Sequence, residues 1–362
     1  MTDQLREQIR HNLNQKETDE LVRMWQKNDR NEWSDMAFEV IHDILKDRHA
    51  EIPPQNIHLD PEGKWLPNLN VEDLEWFRPE LEKSYQLLAI ARASGDSKKE
   101  GQYHLDLGTI FREMTLFGHA IKHFEQALVI FRKLGDRSQE ANALARLGMV
   151  NFFLQRKTAI EFYEQALRLY REIGDRGAQA SQLSNLGLFF ASFTNDFEKA
   201  IEHYNQALVI YREMGNRNHE ASTLNMLGTE YLHLRQMEQA IRCNEQIISI
   251  SREIGDHHKE AKAFQNLGVI CFQVSKYEHA IEYLIQAITI FREIDERDEQ
   301  AMSLGDLGAV YFNLKQFGKA VECLQKKVDI LAETGDVDLD IALKELESYQ
   351  KAARKKWWQF GL

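Results

Sequence analysis

The chain has 362 residues, 43% of them hydrophobic and 28% charged, and a formal net charge of −12. The apolar content is ample for a buried core, while the negative balance argues against nucleic acid, whose phosphates need positive charge along the contact. Three cysteines, Cys243, Cys271 and Cys323, form neither a CxxC pair nor an even-numbered framework, as expected of thiols in a reducing compartment.

In chain order, Met1 to Gln15 is polar and carries Asp3 and Glu7, so it lacks the apolar stretch of a secretory signal. No run reaches the ~18 apolar residues of a membrane span, and the expectation is a cytoplasmic protein without membrane insertion. Two helices are predicted between Thr18 and Asp47. The first carries Leu21, Val22, Met24 and Trp25; the second starts near Ser34 and carries Met36, Phe38, Val40, Ile41, Ile44 and Leu45. Residues 1–52 thus read as an N-terminal helical hairpin. All five prolines lie between Pro53 and Pro79, which makes 53–79 a linker. Trp65, Leu66, Leu69, Leu74, Trp76 and Phe77 make it apolar enough for part of it to lie against the repeats on its C-terminal side. Glu80 to Ala93 then has the spacing of a helix with Leu81, Tyr85, Leu88 and Ala91 facing inward.

From Gly95 to Asp336 one unit is written six times. Leu-Gly recurs at Leu107-Gly108, Leu147-Gly148, Leu186-Gly187, Leu227-Gly228, Leu267-Gly268 and Leu307-Gly308. Gly followed by Asp or Asn recurs at Gly95, Gly135, Gly174, Gly215, Gly255 and Gly335, with Asp295 standing in once. Such a period means stacked repeats. Only the interval between Leu-Gly and the following Ala (Ala120, Ala159, Ala200, Ala240, Ala280, Ala320) varies, one residue short in the second unit and one long in the third. A residue added inside a packed helix rotates every later side chain by about 100°, so this interval is predicted to be a loop between a helix A and a helix B. The Gly closes helix B in the left-handed conformation, and the Asp beside it accepts from the free N–H groups of the next helix A. The glycine in the middle of helix A is read as packing, a missing side chain with the small Ala of helix B opposite.

Leu-Gly, an aromatic three residues on (Phe111, Phe190, Tyr231, Tyr311), the Ala of helix B, an aromatic four later (Phe124, Tyr163, Tyr204) and a second Ala (Ala127, Ala166, Ala207, Ala287) together resemble the tetratricopeptide repeat. The long period and the Gly-Asp joint resemble its forty-residue variety, as in kinesin light chains and Pins-type adaptors. The resemblance implies an all-α, right-handed α-solenoid of stacked helix-turn-helix repeats over 80–336, behind the N-terminal hairpin. Asn151, Cys271, Asn244, Ile247 and Lys327 depart from the pattern. Residues 337–362 read as a capping helix, with an apolar stripe of Leu339, Leu343, Leu346, Tyr349 and Ala353, and an aromatic tail, Trp357, Trp358 and Phe360, as a candidate docking motif.

A search for chemistry finds none that the sequence supports. His119 and His123 are four apart on helix B but lack a third ligand, and read as surface residues. No phosphate loop or nucleophile motif is present, so neither catalysis, cofactor nor metal is expected. The candidate site is the concave face of the A helices. Helical spacing places Arg146, Asn185, Asn225, His233, Gln265, Asn266 and Gln273 there, with Phe152, Phe153, Leu188 and Phe272 as apolar contacts. Amides suit an extended backbone because they both donate and accept. The resemblance implies that Asn185 and Asn266 touch a bound peptide. The lysine that a carboxylate clamp requires is absent: Leu105, Ala145, Ser184, Asn225, Gln265 and Gly305 stand at its place. The expected function is a non-catalytic scaffold for a protein or peptide partner. The alternative is a regulator resembling the bacterial Rap type, or a regulatory subunit of an enzyme.

Overall fold

The computed structural model describes residues 2–27, 35–48 and 71–360. Among them there are only helices, and two compact units, Met1–His123 and Phe124–Leu362, divide the chain.

The first unit opens with α1 (Thr2–Asn14), α2 (Thr18–Lys27) and α3 (Asp35–Asp47). Sequence reasoning predicted a hairpin of two helices here, but α1 makes a third, because Ile9 and Leu13 lie four apart on one face and join Leu21, Val40, Ile41, Ile44 and Leu45 in one core. Arg48 closes this bundle: its guanidinium donates to the carbonyls of Asn14 (2.8 Å) and Lys16 (2.9 Å), which α1 leaves unpaired at its end. α4 (Val71–Ser94) starts well before the expected Glu80, so the end of the predicted linker is helical. Pro79 lies inside it and has no N–H for the Glu75 carbonyl, and the helix continues one hydrogen bond short. Trp76, one of the apolar residues of that stretch, is exposed; residues 53–70 lie outside the described residues. α5 (Ser97–Glu113) follows, and α6 (Phe117–Leu134) begins in this unit and ends in the second.

The second unit alternates A and B helices: α7 (Arg137–Phe153) and α8 (Thr158–Ile173), α9 (Arg176–Phe189) and α10 (Phe197–Glu213), α11 (Arg217–His233) and α12 (Met237–Ile254), α13 (His257–Gln273) and α14 (Tyr277–Glu293), α15 (Arg297–Asn313) and α16 (Phe317–Thr334), then α17 (Leu339–Phe360). The joints form as predicted. Gly174 and Gly255 cap their helices at φ 76° and 72°, and Asp136, Asp175, Asn216 and Asp256 each accept from the backbone N–H three residues on. The sequence reading missed a lock across these joints. An arginine three residues before the glycine pairs with a buried glutamate five after it, as Arg132–Glu140 (3.0 Å), Arg212–Glu220 (2.8 Å) and Arg252–Glu260 (2.6 Å).

The variable interval is a loop only in part. In the third repeat the extra residue is absorbed by helix A itself, as a π-helical turn over Phe190–Thr194, with the Asp196 N–H reaching the Phe190 carbonyl (3.1 Å). In the second repeat the missing residue is taken from the start of helix B, where Ala159 and Ile160 bond three residues back, to Arg156 and Lys157. Both adjustments sit at a helix end, where no later packed face has to rotate.

The mid-helix glycines lie opposite the Ala of helix B, whose carbonyl stands 3.3 Å from a Cβ on Gly268 and 3.5 Å from one on Gly308, and several pack most tightly against the residue four after it. A Cβ on Gly148, Gly187 or Gly268 would lie 2.5 to 2.6 Å from Tyr163, Tyr204 or Leu284. Gly228 faces Asn244 instead, and its nearest neighbours would be at 3.6 Å, an ordinary contact. Gly228→Ala should therefore stabilise the protein by about 1 kcal/mol through helix propensity, whereas Gly187→Ala should destabilise it by about 1–3 kcal/mol through overpacking. Urea denaturation of the two variants checks this opposition.

At the end of the chain, α17 packs Leu339, Ala342, Leu346 and Tyr349 on α16 and α15. Leu343, assigned to that stripe in the sequence, is exposed, because the buried residues step three and four from Leu339 through Ala342. The helix backbone continues through Trp357, Trp358 and Phe360, whose side chains lie outside the described residues. Among the described residues no helix is long and apolar enough to cross a membrane.

Candidate functional site: the face of the A helices

Consecutive A helices of the second unit touch one another through side chains. Phe152 at the end of α7 meets Phe193 of the π turn edge to face (4.9 Å), the Lys259 ammonium reaches Asn218 of α11 (3.5 Å), and the Gln265 amide donates to Asp306 of α15 (3.2 Å). Their outward residues therefore share one face.

The predicted residues divide into available and committed ones. Asn225 and Gln273 are exposed and Asn185 half-buried, and among the described residues none of the three makes a side-chain hydrogen bond. These amides are open to a ligand. Phe153 is 55% and Leu188 37% exposed, although both are apolar. His233 is exposed but stacked flat on Phe197 of α10 (4.6 Å), which fixes its ring. Arg146 is half-buried, lies over the Phe124 ring and donates from Nε to Asn142 (3.0 Å).

Gln265 is not available. It is 7% exposed, and its amide is spent on Asp306, whose carboxyl is pushed above the usual range by burial despite that bond. Asn266 is half-buried and donates to Asn244 of α12 (3.2 Å), and Asn244 donates in turn to the Ala240 carbonyl. Helical spacing gives the direction of a side chain but not what the next repeat places beside it. The same holds for Phe152 and for Phe272, half-buried 6.0 Å from the Tyr277 ring, which pack between elements instead of standing open.

Met226, Thr229 and Leu232, which the same helical spacing directs toward this face, extend it along α11 beside Asn225. One feature was not predicted: Lys327, which departs from the repeat pattern, crosses over Gly305, where a Cβ would stand 3.1 Å from its ammonium, to pair with Glu345 of α17 (3.5 Å). The signal for it was present, since a lysine in place of the usual Ala coincides with a glycine on the facing helix.

His123, read as a surface residue, is half-buried in a hydrogen-bonded chain of the first unit that runs through the buried His104. Arg92 donates to His104 Nε2 (3.1 Å), so His104 carries its proton on Nδ1 and donates to His123 Nδ1 (2.9 Å); His123 Nε2 is left to donate to the Tyr85 hydroxyl (3.2 Å). Burial lowers both imidazoles, His104 to about 4 and His123 to about 3, and keeps them neutral. Among the described residues no group of three or more His, Cys, Asp or Glu side chains is placed to hold a metal.

The sequence model of the tetratricopeptide repeat matches the chain in overlapping stretches, residues 102–172, 139–213, 178–253, 219–293 and 261–333. Solved structures of similar fold include a signal transduction ATPase with a tetratricopeptide repeat sensor from Pyrococcus horikoshii (16% identity, TM-score 0.58, 97% of this chain and 52% of that one). Aspartyl phosphate phosphatase F from Bacillus subtilis (17%, 0.54, 96% and 82%) and the apo form of RapI (16%, 0.51, 71% and 98%) are also similar. At these identities the likeness is one of fold. No curated protein matches the chain in sequence.

Proposed function

Because the chain belongs to the tetratricopeptide repeat family, we propose that it is a non-catalytic binding module that holds an extended segment of a protein partner on the A-helix face of α7 to α15. The observation that carries this reading is the set of amides that make no side-chain hydrogen bond among the described residues, Asn185, Asn225 and Gln273, beside the exposed Leu188 and Phe153. Amides of this kind can exchange water for the backbone of a bound segment. Each is worth only about 0.5–1.5 kcal/mol net, so a double change is needed to read the effect. Asn185→Ala with Asn225→Ala should weaken binding several-fold to a partner purified from the native host, with the melting temperature unchanged. Val209→Asp, on the exposed side of α10, should leave binding intact. Normal binding by the double variant, with binding lost in Val209→Asp, would refute the assignment.

A second reading is a peptide-responsive regulator in which the N-terminal helices act on an effector. It draws on the separate core of α1 to α3 and on a layout similar over most of the chain to an aspartyl phosphate phosphatase. Hydrogen exchange across α2 and α3, with and without partner, separates the two: a change on binding supports the regulator, and indifference supports the module.

A further inference from the structure

Most joints between repeats carry the same fastening. A glycine takes the left-handed turn, the next residue accepts from the backbone N–H three residues on, and a buried glutamate ties the two helices together. That glutamate is gripped from both sides, by Arg132 and Arg137 at Glu140 (3.0 Å each) and by Arg212 and Arg217 at Glu220 (2.8 Å each). The α14–α15 joint departs at every point. Asp295 holds the left-handed turn at φ 60°, which costs a residue with a side chain more than it costs glycine. Glu296 makes no capping bond, and Gln300 stands in the place of the glutamate, 8% exposed and with its Oε1 lacking a hydrogen-bond partner. Arg292 thereby loses the carboxylate that its counterparts hold, and Arg297 turns instead to Asp295 (3.3 Å) and Glu333 (3.7 Å). The α8–α9 joint also has a glutamine, Gln179, but it keeps Gly174 and the Asp175 cap, and Gln179 donates to the Tyr170 carbonyl across the joint (3.0 Å).

The core is divided at the same place. Ala287 and Phe291 of α14 are buried with the preceding repeats, whereas Ala301 and Leu304 of α15 are buried with α16 and α17, touched from α14 by the partly buried Ile288. At their ends away from the joint the two helices share a core, Ala280 and Leu284 with Leu307 and Val310. We propose that residues 294–297 are a hinge about which α15, α16 and α17 swing as one body on this shared core, opening and closing the α15 end of the A-helix face. The helix α17 travels with the other two because Ala342 and Leu346 lie in their core and Glu345 holds Lys327. In the closed position Asp306 accepts from Gln265 across the face (3.2 Å), and this is the bond that the swing breaks. A joint with few fastenings opens at a lower free energy than the repeats on either side unfold. The hinge does not depend on whether the face binds a partner.

Two spin-label pairs at matching places on the B helices test this in the full chain. Asn205, Glu245, Ile285 and Gln325 each lie five residues after the helix-B alanine and are exposed, while the three native cysteines are buried. Labels on Glu245→Cys with Gln325→Cys span the hinge, and labels on Asn205→Cys with Ile285→Cys span the same number of repeats on its N-terminal side. The first pair should give the broader distance distribution by pulsed electron resonance. Amides of 300–303 should exchange about tenfold faster than those of 260–263, the factor that one missing charged hydrogen bond is worth. Asp295→Gly with Gln300→Glu, which restores the glycine and the glutamate of the other joints, should narrow the first distribution to the width of the second and slow 300–303 to match 260–263. If that variant does not fold, Asp295→Gly alone should produce part of both changes. Equal widths for the two pairs in the native chain would overturn the hinge even if 300–303 exchange fast, since that is fraying of one helix end. A folded double variant whose first distribution stays broad would overturn it as well.

Discussion

Replacing Glu230 by isoleucine should raise the stability of the repeats by about 2–4 kcal/mol, which is unusual for a single change. The other A helices hold Ile110, Val150, Phe189, Ile270 and Val310 at this position, all buried. Here a carboxyl that is 6% exposed occupies the seam, and its Oε2 has no hydrogen-bond partner. Leaving such a group unsatisfied costs roughly 1–3 kcal/mol, and an apolar side chain of that size adds roughly 1.5–3 kcal/mol when buried. Burial raises the Glu230 carboxyl above the ordinary glutamate value, with His233 opposing the shift, and Glu230 in turn adds to the burial that raises the Tyr204 hydroxyl. A raised folded pKa means that the native state holds the proton more tightly than the unfolded chain does. This contribution is complete below the unfolded value and is lost as pH rises through the folded one. Melting temperatures across that range should fall in the native protein relative to Glu230→Ile, and a parallel pH dependence in both would show that Glu230 does not titrate in the seam.

Acid should act on the first unit in the opposite sense. His104 and His123 are depressed to about 4 and about 3, mainly by burial, from an ordinary value of 6.5. Each unit of depression is worth about 1.4 kcal/mol. The stabilisation is therefore complete above 6.5 and is lost as pH falls toward the folded values, because the unfolded chain takes up protons first. Protonation has nowhere to go in the native chain: His104 Nε2 faces the Arg92 guanidinium, and His123 Nδ1 faces the proton of His104. The other repeats hold Leu144, Leu183, Leu224, Phe264 or Leu304 where His104 stands, and Phe162 is one counterpart of His123. His104→Leu with His123→Phe should accordingly flatten the loss of stability between pH 6.5 and 4 in the first unit. Hydrogen exchange in α4 and α5 as pH is lowered checks this, and an unchanged acid response in the double variant would assign it to carboxylates instead.

The repeat period was legible because the same residues recur at helix ends and at the closest approach of two helices, where geometry admits few alternatives. Gly-Asp fixed where one helix stops and the next starts, and Leu-Gly fixed which helices meet. What one sequence unit does not encode is its neighbour across the stack. Gln265 and Asn266 have the right direction for the open face, but Asp306 and Asn244 take their amides. The variable interval located the adjustments near the helix ends, yet whether a residue is absorbed as a π turn after Phe189 or as a tightened start at Thr158 depends on which helix can yield without turning its packed face. His123 was misread for the same reason, since its partners Tyr85 and His104 come from two other helices. Among the site residues, Asn225, Gln273, Phe153 and Leu188 are exposed and Asn185 is half-buried.

The most direct test of the binding face is hydroxyl-radical footprinting of the protein with and without its purified partner. Phe153 (55% exposed) and Leu188 on the A helices, and Val209 (53%) and Ile285 (46%) on the B helices, are all open to oxidation in the free chain. Binding along α7 to α13 should protect Phe153, Leu188 and Leu232 and leave Val209 and Ile285 oxidised as before. Protection of Val209 and Ile285, with Leu188 unchanged, would contradict it.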